Sequence, residues 1–450
     1  MKELAHRSKG RKGQLLIMMT LVLVPMIGML GLVTDFGYMR FIKMSAQTAA
    51  ESAAQAAMIA FHSQVGGSNY TCGGAVVCAD SPTDCAADIQ TPSNAIDRGC
   101  MYAQQHGFKT SGNQRVSYQT GVNSVPPTAS GTGSASYWVT FRAVQRVPQL
   151  FSAIMGNTTG LVAARSTAAL AGASDCIYAL NPTAQGAVSV GGTASLVSSC
   201  GIYVDSNNAC AVQTNGNGAQ LQAPEYDVVG NTCTQNPLSP SPNTGVAPTS
   251  DPLSNLPVPA SPTYHCDYWN YNMPNQQNVN LSPGTYCGGI NVQNNNVTFS
   301  SGNYILVGGG LTTQSANSHI SGTGVMFYNT FGQTDHGNQS LSYSPININA
   351  TSTVNLTAPT TGTYAGILFF DNRNAPSGTS DTYGGGSSAV YQGTIYAKKA
   401  SITLYGNSSV NSKYTIIVAD TINLIGTSGI SNDYSSLPNG SPIQQVVLLE

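Results

Sequence analysis

The longest apolar stretch lies near the N-terminus: between Lys12 and Asp35 stand 22 residues without a formal charge, GQLLIMMTLVLVPMIGMLGLVT. As a helix rising about 1.5 Å per residue, such a run crosses a hydrocarbon core of about 30 Å, so residues 13–34 are predicted to be a transmembrane helix. Pro25 is tolerated there, because backbone in lipid has few alternatives to helix. Asp35 and Gly37 mark the membrane exit. From Asp35 to His62 the chain has no proline and is rich in helix formers, which predicts that the rod continues over 35–62. Within it Ala46, Ala50, Ala53, Ala57 and Ala60 recur at spacings of three and four. This narrow stripe admits another helix at close range, from the chain's own domain or from another subunit.

Beyond the rod the pattern shortens. Residues 63–112 are poor in apolar positions and read as a Cys-rich loop region. Residues 113–174 read as a small α+β segment, with a strand over Ser136–Val144, a short amphipathic helix opened by Pro148 and running to Met155, and an apolar run over Leu161–Ala171. From residue 175 on, Ser, Thr, Asn and Gly alternate with spaced Val, Ile, Leu and Tyr, and no period of 3.6 survives. Short units recur: Gly284-TYCGGI, Gly302-NYILVGGG and Gly362-TYAGIL, then Thr394-IYAKKASITLYG and Thr415-IIVADTINLIG. Steps of about 20 residues suit one coil of a solenoid. Residues 175–450 are therefore expected to be a mainly-β domain, a right-handed parallel β-helix, with a β-sandwich as the alternative. Residues 234–263, rich in Pro and Ser, read as a loop between rungs.

Charge changes this picture in one respect. Residues 1–166 hold 13 of the 17 basic and 7 of the 19 acidic residues. Five of the basic ones, Lys2, Arg7, Lys9, Arg11 and Lys12, precede the apolar run, against Arg40 and Lys43 just after it. The positive-inside rule then makes 1–12 a cytoplasmic leader and places the remainder outside the membrane. All ten cysteines lie on that outer side, where disulfides persist. Cys72, Cys78, Cys85 and Cys100 suffice for two bridges. Cys176, Cys200, Cys210 and Cys233 suffice for two more with open connectivity, and Cys266 with Cys287 could staple the Pro/Ser-rich loop to the domain. With charged residues at only 8% and a net charge of −2, nothing suggests a nucleic-acid partner.

The run RKGQLLIMMTLVLVPMIGMLGLVTDFGYMRFIKMSAQTAAESAAQAAM combines a basic leader ending in Gly13, an apolar span, the Asp35-x-Gly37 exit and an Ala-rich helix. In that order it resembles the N-terminal module of TadE/TadG-like proteins of the Tad (tight adherence, Flp) pilus-assembly system. Glu51 stands where that family usually has Asp, and the V-P-Q-L-F-S-A-I-M-G stretch that follows is also similar. The resemblance implies a noncatalytic assembly component of a bacterial pilus. It would be a single-pass protein of the inner membrane, with its C-terminal domain periplasmic or surface-directed. Its partners would be other pilus-assembly membrane subunits, with carbohydrate or another surface ligand as a further possibility. A minor pilin or pseudopilin cleaved after Gly13 is the alternative, although Met18 occupies the position where prepilin substrates carry an acid.

A membrane-tethered polysaccharide-active enzyme is the second alternative, because many β-helices cleave sugars with grouped carboxylates. The residues left for such chemistry are Asp335, His336, Asp371, Arg373 and Asp381, which read more simply as solvated loop positions. No catalytic, cofactor or metal residue is assigned, and no cofactor is expected.

Overall fold

The structure, a computed structural model, describes residues 12–65, 70–127, 135–259, 261–271, 273, 278–386, 389–405, 412–437 and 440–449. Residues 1–11, which hold nearly all of the basic leader, lie outside this set. The chain forms two compact units: one comprises the described residues up to Val65, Tyr70–Leu170 and the chain end from Val446, and the other runs over Ala171–Gln445.

In the first unit, α1 (Lys12–Gln64) is one continuous helix of 53 residues with Pro25 inside it. From Met18 to Val33 its described large apolar side chains are exposed, whereas Ile42, Ala46, Ala49, Ala53, Ala57 and Phe61 are buried. It is the one helix among the described residues long and apolar enough to cross a membrane. Its second half packs on an antiparallel sheet of β1 (Thr83–Asp84), β2 (Gln114–Ser124), β3 (Ala135–Pro148) and β4 (Thr159–Gly172), beyond which lies the C-terminal strand Gln444–Leu449. The region read as Cys-rich loop also contains α2 (Ala95–Gln105), capped by the Asn94 side chain, which accepts from the amide of Asp97. That bond satisfies a donor the first helical turn leaves free.

The expected helix from Pro148 to Met155 shrinks to a single 3-10 turn, Ser152–Met155. β3 instead continues to Pro148, which pairs with Thr159, and the Gln149 amide donates to the Thr158 carbonyl, so strand occupies the positions where the helix was expected to open.

The second unit is built almost wholly of short strands in parallel sheets. In the larger, strands lie in the order 243–244, 226–228, 201–204, 175–179, 415–419, 390–397, 367–371, 325–330, 302–307, 284–287 and 268–269, every neighbour parallel. A nine-stranded parallel sheet follows the same succession. The winding therefore has two directions. The chain enters in the middle at Asp175–Ala179 and adds strands outward to 243–244. It then crosses to the far end at 268–269 and returns until Thr415–Ala419 pairs beside its own starting strand.

Inward Val, Ile, Leu, Phe and Tyr of successive strands form one continuous core. Gly284 pairs with Tyr304, Gly302 with Val325 and Gly393 with Thr415, so these coils consume similar lengths of chain, whereas the coil that pairs Phe327 with Phe369 is about twice as long. Where the turns stack, only glycine fits: at Gly289, with φ of +77°, a Cβ would stand 2.5 Å from the backbone of Gly309.

Candidate functional site

Asp35, expected from the sequence to mark a membrane exit, is buried although it follows a long exposed apolar run. One carboxylate oxygen accepts from the amide of Leu150 at 3.0 Å, and the other from those of Phe151 at 3.0 Å and Ser152 at 2.8 Å. A side chain from α1 thus caps the turn between β3 and β4 and satisfies its leading amide donors. One helical turn earlier, the Phe151 ring packs on Gly31, where a Cβ would stand 2.3 Å from its Cγ. Gly37 has open space where its Cβ would be. Sequence reasoning marked Asp35 as a boundary and did not find its partners, which lie in a distant part of the chain.

All five stripe alanines, Ala46, Ala50, Ala53, Ala57 and Ala60, are buried within their own unit. α1 and α2 meet tightly at Gly99. A Cβ there would meet the Phe141 ring at 2.5 Å, the carbonyl oxygen of Ala53 at 2.7 Å and the Cβ of Ala57 at 2.8 Å.

The cysteines pair in sequence order: Cys72 with Cys78, Cys85 with Cys100, Cys176 with Cys200, Cys210 with Cys233, and Cys266 with Cys287. The third and fourth join successive turns of the parallel stack, and the fifth fastens the Pro/Ser-rich crossing to strand 284–287.

That crossing is held along much of its course by the charged residues singled out for possible chemistry. The Arg373 guanidinium donates to the carbonyls of Leu253 and Leu256 and to the Tyr396 hydroxyl. Asp251 of the crossing accepts from Tyr396 at 2.6 Å and pairs with Lys398 at 3.1 Å. The Asp335 carboxylate binds His265 and accepts from the amide of Cys266, and His336 stacks on Trp269 with ring centres 4.2 Å apart. The hydrogen bond from His265 is the main reason Asp335 lies below the usual carboxylate range, and the same bond raises the His265 imidazole.

Asp371 and Asp381 do come together, but out of reach of solvent, at 1% and 0% exposure. Tyr343, which the sequence did not single out, donates to Asp371 at 2.5 Å and reaches Asp381 at 3.5 Å, and the Ile346 amide donates to Asp381 at 2.9 Å. Burial raises both carboxyls, and Asp371 raises Asp381 further. Ionisation of both carboxyls at once is thereby disfavoured. The five residues therefore divide among distinct sets of contacts and do not assemble one open site.

Among the described residues no group of three or more His, Cys, Asp or Glu is placed to hold a metal ion. A groove of about 660 Å³ in the second unit is lined by Val197, Gln220, Leu221, Gln222, Asn236 and Ser239, among others, and carries no charged side chain. Its amides and hydroxyls offer hydrogen bonds without an acid or base for catalysis.

Residues 13–60 match the family model described as putative Flp pilus-assembly TadE/G-like. The match covers the part of α1 that carries the apolar run, Asp35 and the alanine stripe. It bears out the resemblance over those residues and supports a Tad pilus-associated role. No curated protein and no solved structure is significantly similar to the chain.

Proposed function

We propose that this protein is a noncatalytic, single-pass component of a Tad-type pilus-assembly apparatus in a bacterial inner membrane. Residues 13–34 form the anchor, the N-terminus is cytoplasmic and the second unit is extracytoplasmic. The observation that carries this reading is the coincidence of the family match over 13–60 with the exposed apolar face of α1 from Met18 to Val33. Lipid covers such a face at no cost, whereas water does not.

In this reading the parallel sheets of the second unit are the faces of a β-helix. Their uncharged groove is the candidate binding face for carbohydrate or another surface ligand. The stripe alanines are engaged inside their unit, so contacts with other pilus subunits fall to the membrane part of α1. A structural role is supported by the burial of the Asp371–Asp381 pair, which leaves it no access to a sugar, and by the use of Arg373 and Asp335 as anchors.

The test is fractionation of cells into inner membrane, outer membrane and sheared fibres, with intact mass measured in each. Full-length protein in the inner membrane supports the anchored component. A species cleaved after Gly13 in the fibre fraction would instead make it a pilin-like subunit.

A further inference from the structure

The turn between β3 and β4 presents apolar side chains to the outside at a defined height on α1. Leu150 is 70% exposed and Phe151 37% exposed, although both are large and the turn is otherwise well held. Phe151 rests on Gly31, one helical turn before Asp35, and Asp35 grips the amides of Leu150, Phe151 and Ser152. The helical rise between Gly31 and Asp35 is about 6 Å. If α1 crosses a bilayer over 13–34, the turn is fixed about that far inside the exit. An interfacial segment buries its apolar face to about 5–10 Å.

The charge around the turn points to the same occupant. No Asp or Glu occurs from Arg98 to Ser174. Nearer the turn, the exposed Arg146 lies opposite the exposed Leu161. Among the described residues no carboxylate pairs with Arg146. A layer of phosphate headgroups supplies the missing anions next to an apolar phase.

We propose that this turn is a second membrane contact: Leu150 and Phe151 enter the extracytoplasmic leaflet beside the anchor, and Arg146 meets anionic lipid headgroups. The inference rests on the membrane reading of α1. Asp35 then does more than mark the exit. Its carboxylate, neutralised by three amides, locks the hairpin against the helix at the bilayer surface and sets how the first unit stands on it.

The experiment uses the full-length protein in vesicles of phosphatidylethanolamine and phosphatidylglycerol containing lipids brominated high on the acyl chains. Tryptophan is introduced separately as Leu150→Trp, Phe151→Trp, Leu21→Trp and Val125→Trp. Leu21 reports the anchor itself. Val125 is exposed at the other end of the hairpin strands. The added fluorescence, taken relative to the parent protein, is expected to be quenched at 150, 151 and 21 and not at 125. Quenching at 21 without quenching at 150 or 151 overturns the proposal and leaves the anchor standing. Absence of quenching at 21 removes the anchor reading, and the proposal with it. Replacing phosphatidylglycerol by phosphatidylcholine should lower the quenching at 150, and Arg146→Gln should abolish that dependence. A response unaffected by lipid charge in the parent protein overturns the assignment of Arg146.

Discussion

Two carboxyl groups in contact and shut off from water cannot both stay ionised, because neither the solvent nor a nearby cation compensates the second charge. For Asp371 and Asp381 the folded state favours the protonated form, so their folded values lie above the unfolded value of about 3.9. The sign follows from linkage: their contribution to stability is complete below about pH 4 and is lost as pH rises through the folded values. Asp175, pushed up to about 6 by burial and then by Asp227 and Glu225, acts in the same direction. Removing one acid isolates the pair from this background. Asp381→Asn should flatten the fall of the melting temperature of the detergent-solubilised protein between pH 4 and pH 8, and an unchanged slope would show that the pair is not protonated in the fold. The opposite situation holds at His265, where the Asp335 carboxylate favours the imidazolium. Its contribution is present below the unfolded value of about 6.5 and lost as pH rises through the folded one. NMR titration should find His265 above 6.5 and Asp335→Asn should return it toward that value; a parent value at or below 6.5 would contradict the pairing. Neither arrangement was legible in the sequence. Asp371 and Asp381 lie on separate strands with a turn between them, and Tyr343 reaches them from a preceding segment that nothing in composition connects to either.

At the level of elements, small residues decide which surfaces can touch. The Ala-rich half of α1 was legible as a docking face because spacings of three and four put its alanines on one side. Its partner was not, since α2 lies in a stretch dominated by cysteines and polar residues. At Gly99 there is no room for a Cβ, and the atoms around it include backbone of α1, which cannot move aside as the end of a flexible side chain can. Gly99→Ala should therefore cost about 1–3 kcal/mol by overpacking, measurable as earlier urea unfolding of the first unit. An unchanged midpoint would mean that the helices separate freely at this position. The grip of Asp35 on the hairpin turn makes a second prediction. With Asp35→Ala the amides of Leu150, Phe151 and Ser152 lose charge-assisted acceptors, and their hydrogen exchange should quicken about tenfold or more. Amides in the middle of β2 and β3 should keep their rates. Uniform acceleration would instead indicate that Asp35 supports the whole sheet.

For the whole second unit, the periodicity announced the stack but not its winding. The carbonyls of Ser282 and Ser300 each accept from the hydroxyl of the tyrosine four residues on, Tyr286 and Tyr304, so the recurring S-x-G-x-Y motif is a real structural repeat. Yet such a repeat looks the same whether each new coil is added above or below the last, and only the tertiary pairing reveals that the chain starts in the middle. The Pro/Ser-rich segment, expected to join neighbouring rungs, is the connection that this two-way winding requires between opposite ends. A consequence can be tested by cutting it. None of the five disulfides links the two sides of residue 261. The sides are nevertheless joined by three parallel strand pairs of the second unit, Asp175–Ala179 with Thr415–Ala419, Val188–Gly191 with Ile422–Leu424, and Ser195–Ser198 with Thr427–Ile430, and by the C-terminal strand Gln444–Leu449 beside β4. Arg373, Tyr396 and Lys398 add their holds on residues 251–256. A protease site inserted between the exposed residues Ser261 and Pro262 should therefore yield two fragments that co-elute on size exclusion in detergent and separate in denaturant without any reductant. If the C-terminal fragment eluted alone under native conditions, the central strand pairing, and with it the two-way winding, would be wrong.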